Sequence, residues 1–114
     1  MTTLRVASEF SPYLGGRYRD DGPWSGEQFR EEMLRPRLLD AIERHVILHI
    51  NFDGVAGMPP SFLEEAFGGL LRTVPGLQLD TLRERLKLDA EDPELWPFLN
   101  LAQRFMEQQA QRLH

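Results

Sequence analysis

The chain has 114 residues, 13 Lys and Arg against 18 Asp and Glu, and a formal net charge of −5. That length fits one packed domain, the 41% apolar and 27% charged content is that of a folding chain, and the acidic balance argues against a phosphate backbone as main partner. There is no cysteine, which removes disulfides, zinc thiolates and thiol nucleophiles from consideration.

Met1 to Arg5 lacks a basic region followed by an apolar run, and no stretch approaches the roughly 18 to 20 apolar residues of a membrane span. The default expectation is therefore a cytoplasmic protein of one domain, without membrane or nucleic-acid partners. Leu4 to Phe10 reads as a first strand, ended by Ser11-Pro12 and Gly15-Gly16. The loop that follows is about a dozen residues long, against a usual connection of roughly 4 to 6, and so is a candidate functional loop. It carries Arg17, Tyr18, Arg19, Asp20 and Asp21.

Ser25-Gly26-Glu27-Gln28 has capping-box spacing, and Trp24 with Phe29 has that of a hydrophobic staple, so a helix starts at Ser25. Phe29 and Met33 lie on one stripe, while Leu34, Leu38, Ala41 and Ile42 lie on another. Pro36 stands near the change of phase, which predicts a kink or two abutting helices.

Val46 to Phe52 is the strongest strand signal. Its nearly continuous apolar character predicts a central strand covered on both faces. Beyond Ala56-Gly57-Met58-Pro59-Pro60, the run Ser61-Phe62-Leu63-Glu64 reads as a second capping box opening a helix to about Thr73. Gly68-Gly69 inside that helix costs up to about 1 kcal/mol per glycine relative to alanine, which implies close approach of another group. Asp80 is expected to cap a short turn, and Arg85 to Leu88 to form a short strand. Asp92-Pro93 opens a closing helix with Phe98, Leu101, Ala102, Phe105, Met106, Ala110 and Leu113 on its apolar face.

Alternating strands and helices predict an α/β fold with a small, mostly parallel or mixed sheet and about three to four helices. Loops that follow parallel strands emerge at one edge of the sheet, so the Gly15-Gly16-Arg17 loop and the Gly57 to Ser61 loop should lie side by side. Two helix starts there predict a site for an anion or nucleotide, built from Gly16, Arg17, Ser25 and Gly26. The competing reading pairs Arg17 with Asp20 or Asp21. Glu65 is expected to bond the preceding loop.

The quoted segments also carry a resemblance. Gly15-Gly16-Arg17, Ser25-Gly26-Glu27, Asn51-Phe52-Asp53-Gly54-Val55 and Ser61 to Gly68 are similar to the STAS-like domain family of unknown function, related in fold to anti-anti-sigma factors. They cover most of residues 4 to 70; the C-terminal third matches loosely. The resemblance implies a STAS-like α/β sandwich that binds regulatory or kinase-like proteins rather than a catalyst. It implies that Ser61 stands where anti-anti-sigma factors carry the phosphorylated serine of an Asp-Ser-Ser-Gly-Leu helix start, although Pro59, Pro60 and Phe62 replace the Asp, first Ser and Gly. Ser61, Phe62, Glu65, Asp53 and Met58 are then the candidate partner-binding residues. Ser61 is either a helix cap or a switch. The expected partner is a protein, a kinase-like ATPase or another regulator, and a second copy of the chain is admitted.

No cofactor or metal is expected. His45, His49 and His114 are too scattered for a recognisable metal site, and no Gly-x-x-x-x-Gly-Lys motif occurs. Ser61, His49 and Asp53 supply hydrolase residue types, but His49 sits within a strand and Ser61 lacks a nucleophile elbow.

Overall fold

The computed structural model describes residues 2–113. Met1 and His114, both named above, lie outside them. The strand β1 (Thr2–Arg5) leads straight into a single helical turn, α1 (Val6–Glu9). The strand expected over Leu4 to Phe10 is thus cut short. The N–H groups of Phe10 and Ser11 both donate to the Val6 carbonyl at 2.9 Å, and Arg5 N–H donates to the Glu9 carboxylate at 2.7 Å. That turn drops Phe10 into an aromatic cluster, its ring 5.2 Å from Trp24 and 5.1 Å from Phe29. Phe10 thus meets both members of the expected staple.

The helix α2 runs without a break through Gly26–Phe29, a π-helical stretch Arg30–Leu34, and Arg35–Arg44. Arg35 N–H donates to the Arg30 carbonyl five residues back. This wider winding accounts for the change of phase: Phe29 and Leu34 are five apart yet both fully buried, and Leu38 and Ala41 follow at ordinary helical spacing. Pro36 lies just past the π stretch, and its missing N–H asks for no acceptor there. Instead of two helices, the sequence builds one helix with a π insertion. His45, in the left-handed conformation at φ 56°, ends it.

The strand β2 (Leu48–Asn51) is central, with β1 on one side and β3 (Leu86–Asp89) on the other, both parallel to it. Between β2 and β3 lie α3, continuous through Pro60–Leu63, a π-helical stretch Glu64–Gly68 and Gly69–Thr73, and the short α4 (Leu79–Arg85). Gln78, and not Asp80, takes the cap position of α4. Asp92 caps a 3-10 turn, Pro93–Leu95, by accepting the Glu94 N–H at 3.0 Å, and α5 (Trp96–Arg112) follows.

Register explains how the sheet buries its residues. Leu4 pairs with Ile50, Ile50 with Leu88, and Leu48 with Leu86; side chains alternate across a strand, so these share one face. On that face Leu4, Leu48 and Ile50 are fully buried. The opposite face carries Thr3 and Arg5, His49 and Asn51, and Lys87 and Asp89, and its outer members are exposed. The expectation that β2 would be covered on both faces fails. Strand order follows chain order, so successive right-handed crossovers step in one direction and place their helices on one face. α3 forms the middle of the helical layer, packed against α2 and α5. Phe62, Leu63, Ala66, Phe67, Leu70 and Leu71 are all buried in it.

Candidate functional site

The two loops at the ends of β1 and β2 do lie together, as parallel strands require. Ala56 N–H donates to the Pro12 carbonyl at 2.8 Å, joining them directly. The starts of α2 and α3 also meet: a Cβ on Gly26 would stand 2.5 Å from the Phe62 carbonyl oxygen, so only glycine allows that crossing.

The donors needed for an anion site at the start of α2, however, are already used. Gly26 N–H donates to the Gly16 carbonyl at 2.9 Å, Glu27 N–H to the Arg17 carbonyl at 3.0 Å, and Gln28 N–H to Ser25 Oγ at 3.0 Å. Ser25 is the expected cap, but it and Gly26 are buried. Gln28 completes the local box on the Trp24 N–H, at 2.9 Å, one residue earlier than the usual partner. Ligand crevices in open parallel sheets form where strand order reverses, and an order of β1-β2-β3 contains no reversal. Both corrections weigh against Gly16, Arg17, Ser25 and Gly26 as an anion site.

Arg17 pairs with neither Asp20 nor Asp21. Its guanidinium lies 2.5 Å from Glu64 and 3.5 Å from Glu65. Glu65 in turn accepts from Arg30 at 2.5 Å, and Arg30 also donates to the Glu65 carbonyl at 3.0 Å and to Glu31 at 2.9 Å. Arg72 closes the group with bonds of 2.6 Å to Glu64 and 2.6 Å to Gln109 of α5. Three guanidiniums and two carboxylates therefore tie the long loop, α2, α3 and α5 together. The bonds from Arg72 and Arg17 hold the Glu64 carboxyl below its ordinary range, against the opposing effect of burial.

This network sits where the two π-helical stretches meet, since Arg30 opens one and Glu64 and Glu65 open the other. It also explains Gly68-Gly69. A Cβ on Gly68 would stand 2.7 Å from Glu64 Oε2, and one on Gly69 would stand 2.6 Å from Arg30 Nη1. The close approach implied by the sequence is made by these two charged side chains. Glu65 bonds to Arg30 and Arg17, and not to the preceding loop as expected.

Ser61 is not a cap. Pro59 takes that position, Pro60 opens the helix, and Ser61 lies one residue further in with no capping bond, half-buried. Glu64, the supposed far half of a second capping box, faces Arg17 and Arg72. Phe62 is fully buried, Met58 is 2% exposed, and neither offers a surface at the helix start. Asp53 stands apart from these: it accepts the N–H groups of Glu91 (2.9 Å) and Asp92 (3.1 Å) and an amide N–H of Asn51 (3.1 Å). Those bonds hold its carboxyl below the usual range and fasten the segment after β3 to the end of β2. His49 faces Asp89 at 3.8 Å on the open side of the sheet. Among the described residues Ser61, His49 and Asp53 share no hydrogen bond, so no relay links them.

What the sequence reading missed is the aromatic character of the long loop. Tyr13 is 73% exposed, Tyr18 50% and Trp24 40%. Tyr13 stands beside a shallow groove of about 420 Å³ lined with Leu14, Ala56, Gly57, Met58 and Pro59. Three aromatics within a Gly- and Pro-rich loop were the signal in the sequence.

No curated protein and no solved structure matches the chain. Among the described residues no helix is long and apolar enough to cross a membrane. A family model does match, over residues 25–96, with the description "STAS-like domain of unknown function (DUF4325)". The match reaches from the Ser25 cap through α2, β2, α3 and β3 to the start of α5; it leaves out Gly15 to Arg17 and extends well past residue 70. With well over half of its length matched, the chain belongs to the family of STAS-like domains of unknown function.

Proposed function

We propose that the protein is a non-enzymatic regulatory module that binds a protein partner through the face formed by the long loop and the start of α3. One observation carries this reading: exposed aromatic side chains stand on a loop that is itself firmly held. Tyr13, Tyr18 and Trp24 are half of the exposed large hydrophobic side chains among the described residues, the others being Leu39, Trp96 and Leu113. Exposed aromatics grouped on one loop, with Tyr13 beside a groove, favour protein interfaces over bulk surface.

The loop carrying them is pinned at Pro12, Gly15, Gly16 and Arg17, by bonds to Ala56, Trp24, Gly26, and Glu27 with Glu64, respectively. A surface ordered before binding loses less entropy when a partner docks. Ser61 lies on the helix that follows Pro59 at the rim of the groove, and a negative charge there would meet Glu64 and Glu65 on the same helix. A kinase-like ATPase or another regulator fits the family resemblance.

Capture from the source cell tests the proposal. The parent chain and a Leu39→Asp variant should retain the same protein in comparable yield, while Tyr13→Asp and Ser61→Asp retain about tenfold less or none. Equal recovery by all four would overturn it.

A further inference from the structure

A second surface, sharing no residue with that face, lies at the outer edge of β3. The strand is an edge of the sheet, and the Asp89 carbonyl points inward to accept the Phe52 N–H at 3.0 Å. By strand alternation the peptide groups of Leu88 point outward. They find no partner in another element among the described residues. Exposed strand edges of this kind are templates for pairing.

Beside this edge, between β3 and α5, runs a groove of about 280 Å³. Leu88 and Ala90 form one wall, and Trp96, Leu99, Asn100 and Gln103 form the other. The four α5 residues recur at helical spacing and so make one continuous stripe. Trp96 is 51% exposed, and its indole N–H donates to the Ala90 carbonyl at 2.8 Å, which fixes the ring as part of the wall.

The segment joining the two walls is Asp89-Ala90-Glu91-Asp92-Pro93-Glu94, with four carboxylates and no cation. Among the described residues Glu91, Asp92 and Glu94 are in no salt bridge, and Asp89 meets only His49 at 3.8 Å and the Asn51 amide, which donates to it at 3.0 Å. Lys87 on the strand turns its ammonium to the Arg83 carbonyl at 2.6 Å, and Arg104 follows Gln103 on α5. Among the described residues no Lys or Arg forms a salt bridge with these four carboxylates, whereas the guanidiniums of the α2–α3 network are all paired.

We propose that the groove takes an extended basic peptide, which pairs with β3 as a fourth strand. Its alternate side chains point to opposite faces. One set places apolar groups against Leu88, Trp96 and Leu99, and its cations lie toward Asp89, Glu91 and Glu94. Strand addition beside a helix-walled groove is a recurring mode of peptide recognition, in which the backbone supplies affinity and the alternate side chains supply specificity.

The test uses the full chain, isotope-labelled, with an octapeptide of alternating valine and lysine. Comparison peptides replace lysine by glutamate, or methylate alternate backbone nitrogens on the pairing edge. The lysine peptide should shift the Leu88 and Ala90 amide resonances and slow their hydrogen exchange, with binding weakened by added salt. The methylated peptide should not bind. Gln103→Arg, and separately Glu91→Lys with Glu94→Lys, should each weaken binding by roughly tenfold. All the substituted positions are on the exposed surface or the connecting segment, and an unchanged melting temperature confirms that each variant is folded. Equal binding of the glutamate or methylated peptide, or shifts confined to β1 or to the Tyr13 loop, would overturn the proposal.

Discussion

Glu65 is the residue on which the loop, α2 and α3 depend together. Its side chain is 10% exposed and that of Arg30 is 7% exposed, and their 2.5 Å bond is the shortest ion pair either makes, so each charge draws most of its compensation from the other. Glu65→Ala leaves the buried Arg30 with only the more exposed Glu31 as a carboxylate partner and should cost up to about 3–5 kcal/mol in urea denaturation, whereas replacing both residues with methionine should recover most of that loss. A pair of single variants that each cost under about 1 kcal/mol would contradict the assignment. Glu64 adds a pH dependence. Its carboxyl is held below the ordinary value of 4.5, so its stabilising contribution is complete above that pH. As pH falls through the depressed value, protonation releases Arg17 and Arg72 and the contribution disappears. The melting temperatures of the parent and of Glu64→Gln should therefore differ at neutral pH and converge in acid. A constant difference across that range would assign the effect to something other than ionisation.

At the level of elements, the two helix starts look alike in sequence and are built differently. Ser25 caps α2, so Ser25→Ala should cost about 0.5–2 kcal/mol. Ser61 lies inside α3 behind two prolines, and Ser61→Ala should change stability by less than about 0.5 kcal/mol. Thermal or urea unfolding of the two variants distinguishes these outcomes; equal losses would restore Ser61 as a cap. The spacing of Ser61 and Glu64 matched a capping box, but Pro59 and Pro60 already fix the entry geometry, and two arginines distant in sequence claim the Glu64 carboxylate. Capping motifs are legible locally only when no tertiary partner competes for the residue. The π insertion in α2 was legible as a break in apolar phase at Leu34, but that break alone does not distinguish a kink from a wider turn. Gly26 illustrates the same limit. It reads as an ordinary first-turn glycine, and only the Phe62 carbonyl reveals that alanine there would collide with another helix.

For the whole molecule, the order of strands and helices was readable from periodicity, and the all-parallel sheet with β2 in the centre follows from it. Coverage of the sheet was not readable. Val46 to Phe52 looks continuously apolar because Val46, Ile47 and Phe52 flank the strand, while within it Leu48 and Ile50 alternate with His49 and Asn51. Stepwise strand order places the helices on one face and also removes the reversal that would have opened a ligand crevice between the first two loops. The pairing of Arg17 with Glu64 spans 47 residues, and no local pattern announces it. What remains at that edge is a rigid loop that displays aromatic side chains, and the functional reading rests on it. A photoreactive phenylalanine analogue placed at Tyr13, and in a separate chain at Leu39, tests the reading in the source cell. One discrete protein adduct is expected from position 13 and none of that mass from position 39; the same adducts from both positions, or none from position 13, would overturn the assignment of this face.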